Sequence, residues 1–128
     1  MRGKSLIGLL IVAAALAATG CESANKGKIE GTKWTSNEGT IRGQKLAAGK
    51  VEVEFYKDGA MDFTAPDPRG GSKVYPGRYM FGAGDVVVMT FEQELAGMKT
   101  HAERVKVDNG ELTMTDSDGT KLVFSRRK

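Results

Sequence analysis

The sequence predicts an all-β protein, a small antiparallel up-and-down β-barrel of about eight short strands, behind an N-terminal signal helix. Three observations lead to this fold class. Apolar and polar residues alternate over short runs, turn dipeptides separate the runs, and no segment after residue 28 has helical periodicity. The chain of 128 residues has room for one domain with a modest core.

The first twenty residues predict a lipoprotein signal peptide over residues 1–20. Arg2 and Lys4 precede an unbroken apolar run, Leu6–Ala18, and small residues follow it. A charged start, a short apolar middle and a small-residue exit are typical of secretory signals. A helix that spans a bilayer needs about 20 apolar residues, so this run is short for a permanent transmembrane segment.

Cys21 is the only cysteine, so it cannot form an internal disulfide. A catalytic thiol would need a base, and the only histidine, His101, lies far along the chain. A zinc site would need several cysteine or histidine ligands. Ala18–Cys21 resembles the lipobox of bacterial lipoproteins, with alanine where that family prefers leucine. The resemblance implies cleavage between Gly20 and Cys21, and lipid attachment to Cys21.

The same resemblance implies a location. Acyl chains such as palmitate on Cys21 would anchor the mature protein, since two or more chains make attachment stable. Glu22 follows, where an aspartate tends to retain Gram-negative lipoproteins in the inner membrane. The expected location is therefore the cell envelope after secretion across the inner membrane, and the periplasmic face of the outer membrane rather than the inner membrane.

The charge distribution gives no sign of a nucleic-acid partner. Without the signal, the formal net charge falls from +3 to +1, because Arg2 and Lys4 leave and all 16 acidic residues stay. Nucleic-acid binders concentrate basic residues on one face. Here the signs of charge alternate through the domain, and a basic run occurs only at residues 126–128.

Residues 21–28 are predicted to hold the lipidated cysteine and a flexible tether, because residues 22–28 are small and polar. Residues 29–128 form the predicted barrel domain. In "KVEVEFY", Val51, Val53 and Phe55 share one face, which indicates a half-buried strand. Asp58-Gly59 follows and predicts a hairpin into "AMDFT".

The same pattern continues to the end of the chain. "GRYMFG" leads through Gly84-Asp85 into "VVVMTF", "MKTHAERVKV" leads through Asn109-Gly110 into "ELTMT", and "DSDG" precedes "TKLVFSR". Two segments do not fit it. "FEQELAGMK" is predicted as a loop or a single helical turn. Residues 65–77, which contain all three prolines, are predicted as a long irregular connection.

A meander of hairpins exposes two sheet edges, and closure into a barrel removes them. A barrel of this size is expected to be filled largely by side chains. The predicted filling consists of Trp34, Val51, Val53, Phe55, Phe63, Tyr79, Val88, Val105, Leu112, Met114 and Phe124.

Three motifs, "EGTKW", "EFYKDGAM" and "GELTMTDSDGTKLVFSR", resemble in their order the lipocalin-like family of small bacterial lipoproteins, over most of residues 29–127. The resemblance implies a lipocalin-like (calycin-type) barrel. It also implies that Trp34 packs across the closed end under Arg126. Lipocalins place one residue between the glycine and the tryptophan. Here Thr32 and Lys33 both intervene, which in a regular strand reverses their relative facing.

No catalytic residue, cofactor or metal site is predicted. "TDSDGT" fails the EF-hand pattern, because counting from Asp116 puts Lys121 where a glycine belongs, and turn chemistry explains the motif. Glu52 and Glu54 are interpreted as the solvated face of a strand. No serine lies in a nucleophile motif. The sequence therefore predicts that the protein is not an enzyme.

The predicted function is a lipid-anchored, non-catalytic binding or interaction domain. Its partner is either a small apolar ligand or another envelope protein, and the barrel's small size favours the protein. A cavity lined by methionine and phenylalanine would favour the ligand. The alternatives are a small hydrophobic-ligand carrier and a copper-stress lipoprotein in which Met98 and His101 hold Cu(I).

Replacing the cysteine tests the anchor. In Cys21→Ser the acyl acceptor is lost, so processing at residue 20 should stop and no lipidated mature form should appear. The measurement is metabolic labelling with radioactive palmitate, followed by cell fractionation. A labelled, mature, membrane-bound variant would contradict the lipoprotein prediction.

Overall fold

The computed structural model describes residues 23–41 and 43–127, so the predicted signal peptide, Gly20 and Cys21 lie outside the described residues. Within the described ranges the protein has ten β-strands and no α-helix. No described helix has the length and hydropathy needed to cross a membrane. The strands are β1 Thr32–Ser36, β2 Gly39–Ile41, β3 Gln44–Leu46, β4 Glu52–Phe55, β5 Ala60–Pro66, β6 Ser72–Phe81, β7 Val86–Leu95, β8 Met98–Asp108, β9 Glu111–Thr115 and β10 Lys121–Arg127.

Eight of these strands form a closed antiparallel barrel, as the sequence predicts. The order is β1-β4-β5-β6-β7-β8-β9-β10, and β10 pairs back onto β1. Apart from the small β2–β3 hairpin between β1 and β4, each strand pairs with the next along the chain. This is the up-and-down arrangement, and it fits a lipocalin-like fold.

The predicted Asn109-Gly110 turn is confirmed, since both residues have positive φ, 51° and 78°. The "FEQELAGMK" prediction is wrong. β7 runs on to Leu95, and Ala96 and Gly97 alone make the turn into β8, with φ of 54° and 85°. A two-residue turn with positive φ at both positions fits the right-handed twist of the paired strands. Ala96 therefore adopts a conformation that is usual for glycine or asparagine, which is why the sequence did not indicate a turn here.

The long irregular connection predicted over residues 65–77 is also wrong. β5 continues to Pro66 and β6 begins at Ser72, so only five residues turn the chain. Pro76 lies inside β6 opposite Asp62. The pairing of β6 with β7 begins only at Gly77, so Pro76 has a paired residue on one side, and a proline, which lacks an N–H, is tolerated there.

The core forms as predicted, with one error of facing. Val87 and Met89 are buried, whereas Val88 is half-buried on the outer face opposite the exposed Met80. "VVVM" is apolar at every position, so its sequence has no alternation to show which residues face inward. Pairing with β6, which places Tyr79 beside Met89, decides it. The buried hydrophobic residues are Ile29, Trp34, Val51, Val53, Phe55, Met61, Tyr79, Val87, Met89, Phe91, Val105, Leu112, Met114 and Phe124.

The tryptophan–arginine pair implied by the resemblance is present. Trp34 is buried and pairs in register with Arg126, whose guanidinium carbon lies 5.7 Å from the indole ring centroid. The extra residue before the tryptophan has no effect on this pairing. Gly31 has a φ of 74° and lies in the turn before β1, so strand alternation does not extend back to it.

Ser23, Ala24 and Asn25, which lie in the segment predicted as a flexible tether, contact the barrel. Ser23 bridges to Gly84, and the Ala24 amide donates to the Gly84 carbonyl at 2.8 Å. Asn25 is buried, and its side-chain amide donates to the carbonyls of Asp85 and Val105. A buried amide that satisfies two backbone acceptors holds this segment against the barrel. Composition alone does not reveal such a contact.

The two ends of the barrel differ. Residues 23–31 and the turns at 56–59, 82–85 and 109–110 lie at one end, which we call the closed end. The connection from β1 to β4 and the turns at 67–71, 96–97 and 116–120 lie at the other, the open end. Ile29 and Trp34 are buried at the closed end, so that end is filled by side chains.

Gly77 on β6 faces inward, where a Cβ atom would lie 2.5 Å from the Thr90 carbonyl oxygen and 2.8 Å from the Phe91 ring. Because the Thr90 backbone could move away from this Cβ atom only at a cost in energy, Gly77→Ala should lower the free energy of unfolding by about 1–3 kcal/mol. Gly39→Ala is the control, since nothing lies within 4 Å of its Cβ position, and it should change stability by about 0.5 kcal/mol or less. Urea unfolding measures both, and equal effects would contradict the packing.

Candidate functional site

A cavity of about 260 Å³ lies at the open end of the barrel, between the β7–β8 turn and the β9–β10 turn. Its walls are mostly apolar, and a few polar groups lie among them. The lining residues are Phe63, Met89, Phe91, Leu95, Ala96, His101, Glu103, Met114, Asp116, Thr120 and Leu122. An apolar pocket with a few convergent polar groups is the usual form of a small-molecule site.

Strand register places two polar side chains inside this apolar pocket. His101 is the direct partner of Met89, and Glu103 is the direct partner of Val87. Directly paired residues of antiparallel strands project to the same face of the sheet, and both partners are buried in the barrel. His101 and Glu103 therefore face inward.

His101 holds the β7–β8 hairpin together. Its Nε2 lies 2.8 Å from the Leu95 carbonyl oxygen and 3.0 Å from the Met98 carbonyl oxygen. Carbonyl oxygens only accept hydrogen bonds, so Nε2 carries the proton and donates. The imidazole also meets the Phe91 ring edge-on, with centroids 5.9 Å apart.

Glu103 is the most strongly perturbed group in the pocket. Burial, together with the negative charges of Asp116 and Asp118, raises the pKa of its carboxyl to about 7. Glu103 accepts no hydrogen bond and forms no ion pair within residues 23–41 and 43–127. A carboxyl in an apolar pocket without a partner is a recurrent feature of functional sites.

Asp116 begins the turn that closes the β9–β10 hairpin. Its Oδ1 accepts hydrogen bonds from the backbone amides of Asp118 and Thr120, both at 3.1 Å. This confirms the interpretation of "TDSDGT" as a turn. In the described part of the chain, no group of three or more histidine, cysteine, aspartate or glutamate residues is arranged to hold a metal ion.

Met98 and His101, the predicted copper pair, occupy different environments. Met98 is 56% exposed, whereas His101 faces the pocket and uses Nε2 for two carbonyls. The geometry adds no support to copper binding, which stays a prediction. Glu52 and Glu54 lie on the outer wall as expected, both within 4.0 Å of the Lys33 ammonium.

The outer wall carries a second, polar depression, which contrasts with the pocket. It is lined by Asp85, Arg104, Lys106, Thr113, Thr115 and Lys121. The guanidinium of Arg104 lies 3.2 Å from Asp85 and, by hydrogen bonding, holds the pKa of that carboxyl below its ordinary value. This groove has no apolar wall to bury a ligand.

Glu103 and Asp116 did not emerge from the sequence as site residues. The alternation of "HAERV" does place His101 and Glu103 on the same face as Val105, which the sequence predicts as core. That alternation could have identified two polar residues inside the barrel. Asp116 lies beyond the end of β9, so its position beside Glu103 depends on the turn.

No family model matches the sequence, and a search of curated proteins gave no match. Among solved structures, the fold resembles an uncharacterised protein from Bacteroides eggerthii DSM 20697. The TM-score is 0.56 at 16% sequence identity, and the alignment covers 74% of this chain and 97% of the other. This likeness supports the fold.

The position of Glu103 predicts a pH dependence of stability. Its folded pKa of about 7 exceeds the ordinary 4.5, so between these values the native state binds more protons than the unfolded state. Stability should therefore fall as pH rises from 4.5 to 7. Glu103→Gln should remove this loss, and gain about 1 kcal/mol relative to wild type at alkaline pH after allowance for solvent screening.

The matched control is Glu92→Gln, an exposed residue of β7. Urea unfolding at acidic and mildly alkaline pH compares the three proteins. If the wild type and Glu103→Gln lose the same stability across this range, then Glu103 is not perturbed in the pocket.

Proposed function

We propose that this protein is a lipid-anchored envelope lipoprotein whose barrel binds a small apolar ligand without catalysis. The observation that carries the proposal is the pocket wall, formed by Phe63, Met89, Phe91, Met114 and Leu122. The barrel's size favours a filled interior and hence a protein partner, but methionine and phenylalanine side chains around a cavity favour a ligand.

The size of the cavity limits the ligand. A water molecule takes about 30 Å³ of the liquid, so a cavity of about 260 Å³ holds about eight or nine groups of that size. The proposal is therefore a ligand of about that many non-hydrogen atoms, smaller than those taken by pockets of drug-binding size.

The exposed apolar residues give less support to a protein partner. Tyr56, Val74, Met80 and Met98 are the large hydrophobic side chains exposed in the described ranges. Tyr56 and Met80 lie toward the closed end, whereas Val74 and Met98 lie toward the open end. Separate exposed apolar residues are ordinary on protein surfaces, and a docking surface is usually contiguous.

The proposed non-catalytic role agrees with the pocket's polar groups. Glu103 could act as a general acid with its raised pKa, but acid–base chemistry also needs a base placed against the substrate. Asp116 uses Oδ1 for two turn amides, and His101 uses Nε2 for two carbonyls. Both groups are engaged in holding the hairpins at the open end.

The N-terminal contacts indicate how a lipid on Cys21 would orient the barrel. Ser23 is fixed beside Gly84 at the closed end. Two residues of extended chain reach at most about 7 Å, so the acylated cysteine would hold the closed end near the membrane. The pocket would then open away from the membrane, toward the aqueous phase.

Methionine methyl NMR tests ligand binding. The full-length protein, purified from bacterial membranes into phospholipid nanodiscs with ¹³C-methyl methionine, is titrated with benzyl alcohol, which has about the size of the cavity. The Met89 and Met114 methyl signals should shift because these side chains line the pocket. The signals of Met80 and Met98 should stay in place because these residues are exposed outside it.

A filled pocket is the matching control. Leu122→Trp should abolish the shifts, because Leu122 lines the cavity, whereas Val123→Trp on the same strand should not. Circular dichroism checks that both variants fold. Shifts that persist in Leu122→Trp, or no shift in the wild type, would refute the ligand proposal and favour a protein partner.

A further inference from the structure

The charged groups of the pocket point to the chemistry of its ligand, and this step rests on the proposed function. Glu103 and Asp116 are the charged residues among those that line the cavity. Both are acidic. The basic residues adjacent to the pocket in sequence, Arg104 and Lys121, belong to the outer groove. Strand alternation thus places the acidic side chains in the pocket and the neighbouring basic side chains on the outer wall.

Each of these acidic groups retains an oxygen that could bind a cation. Glu103 has no hydrogen-bond or ion-pair partner in the described ranges. Asp116 accepts its two turn hydrogen bonds through Oδ1, and its Oδ2 accepts none from the described residues. The Nε2 of His101 donates to two backbone carbonyls, so this nitrogen has no hydrogen bond to either carboxyl. Both carboxyls are half-buried, so part of their hydration is lost, and a bound cation would offset that loss.

We propose that the cavity selects a small hydrophobic amine, whose hydrocarbon part contacts Met89, Phe91 and Leu122 and whose ammonium group lies beside Glu103 and Asp116. The apolar walls take the hydrocarbon, and the carboxylates accept charge-assisted hydrogen bonds from the ammonium. A carboxylate ligand of the same size would meet repulsion at this point. A neutral alcohol would leave the charge unpaired.

Selectivity for the amine should depend on pH. The groups that face Glu103 are Asp116 and Asp118 from the β9–β10 turn and His101 from its own strand, while β7 presents the apolar Val87 and Met89. The pKa of Glu103 is about 7, so its carboxylate forms above neutrality and is neutralised below it. Amine binding should therefore strengthen as pH rises through 7.

Three probes of one shape but different charge test the inference: benzylamine, benzyl alcohol and benzoate. They are titrated into the same nanodisc sample at about pH 8 and at about pH 5.5. The amine stays protonated at both pH values. The Met89 and Met114 methyl signals report binding. At the higher pH the amine should bind about tenfold more tightly than the alcohol, and benzoate most weakly. At the lower pH this preference should shrink.

Glu103→Gln should bind the amine and the alcohol about equally, because it keeps the shape of the side chain and removes its charge. Glu92→Gln, on the exposed face of β7, should behave as wild type. An amine that binds no better than the alcohol, or a preference that persists in Glu103→Gln, would overturn the inference while alcohol binding still upheld the ligand proposal. Failure of all three probes to shift the methyl signals would overturn both.

Discussion

The pairing of β10 with β1 is the constraint on which the rest of the structure depends. It joins the last strand to the first, with Phe124 opposite Ser36 and Arg126 opposite Trp34, and so turns a meander into a closed barrel. Closure removes both sheet edges and surrounds one core from all sides. The buried indole and the arginine above it lie at this junction, where the first and last barrel strands pair.

Closure also creates the pocket, because a barrel has an interior that its side chains fill unevenly. At the closed end, Trp34 and the packed segment that contains Asn25 and Ile29 occupy the interior. At the open end, the β7–β8 and β9–β10 turns flank a cavity whose wall includes Glu103. Val105, two residues further along β8, is buried, and the same alternation turns the half-buried Glu103 carboxyl toward the apolar walls.

The two ends therefore suit different tasks under the proposed function. The closed end receives the N-terminal segment through contacts with Gly84 and Asp85, close to the predicted lipid site at Cys21. The open end has the cavity and the acidic groups. Separating the anchor from the pocket by the length of the barrel would let a bound molecule exchange with the aqueous phase. Because Arg104 and Lys121 lie on the outer wall and do not line the pocket, they do not neutralise its acidic residues.

Strand alternation and turn dipeptides were sufficient to predict the barrel, most of its core and the Asn109-Gly110 hairpin. These features depend on the backbone geometry of residues that are neighbours in the sequence. The resemblance added the contact between Trp34 and Arg126. Tertiary pairing decided the rest. "VVVM" has no alternation, so pairing with β6 decided which of its residues face the core. The segments that contain Pro66 and Pro76 form strands because they pair with each other as β5 and β6. The pocket is a property of closure: Glu103 and Asp116 meet at the open end only after the strands and turns that carry them are assembled.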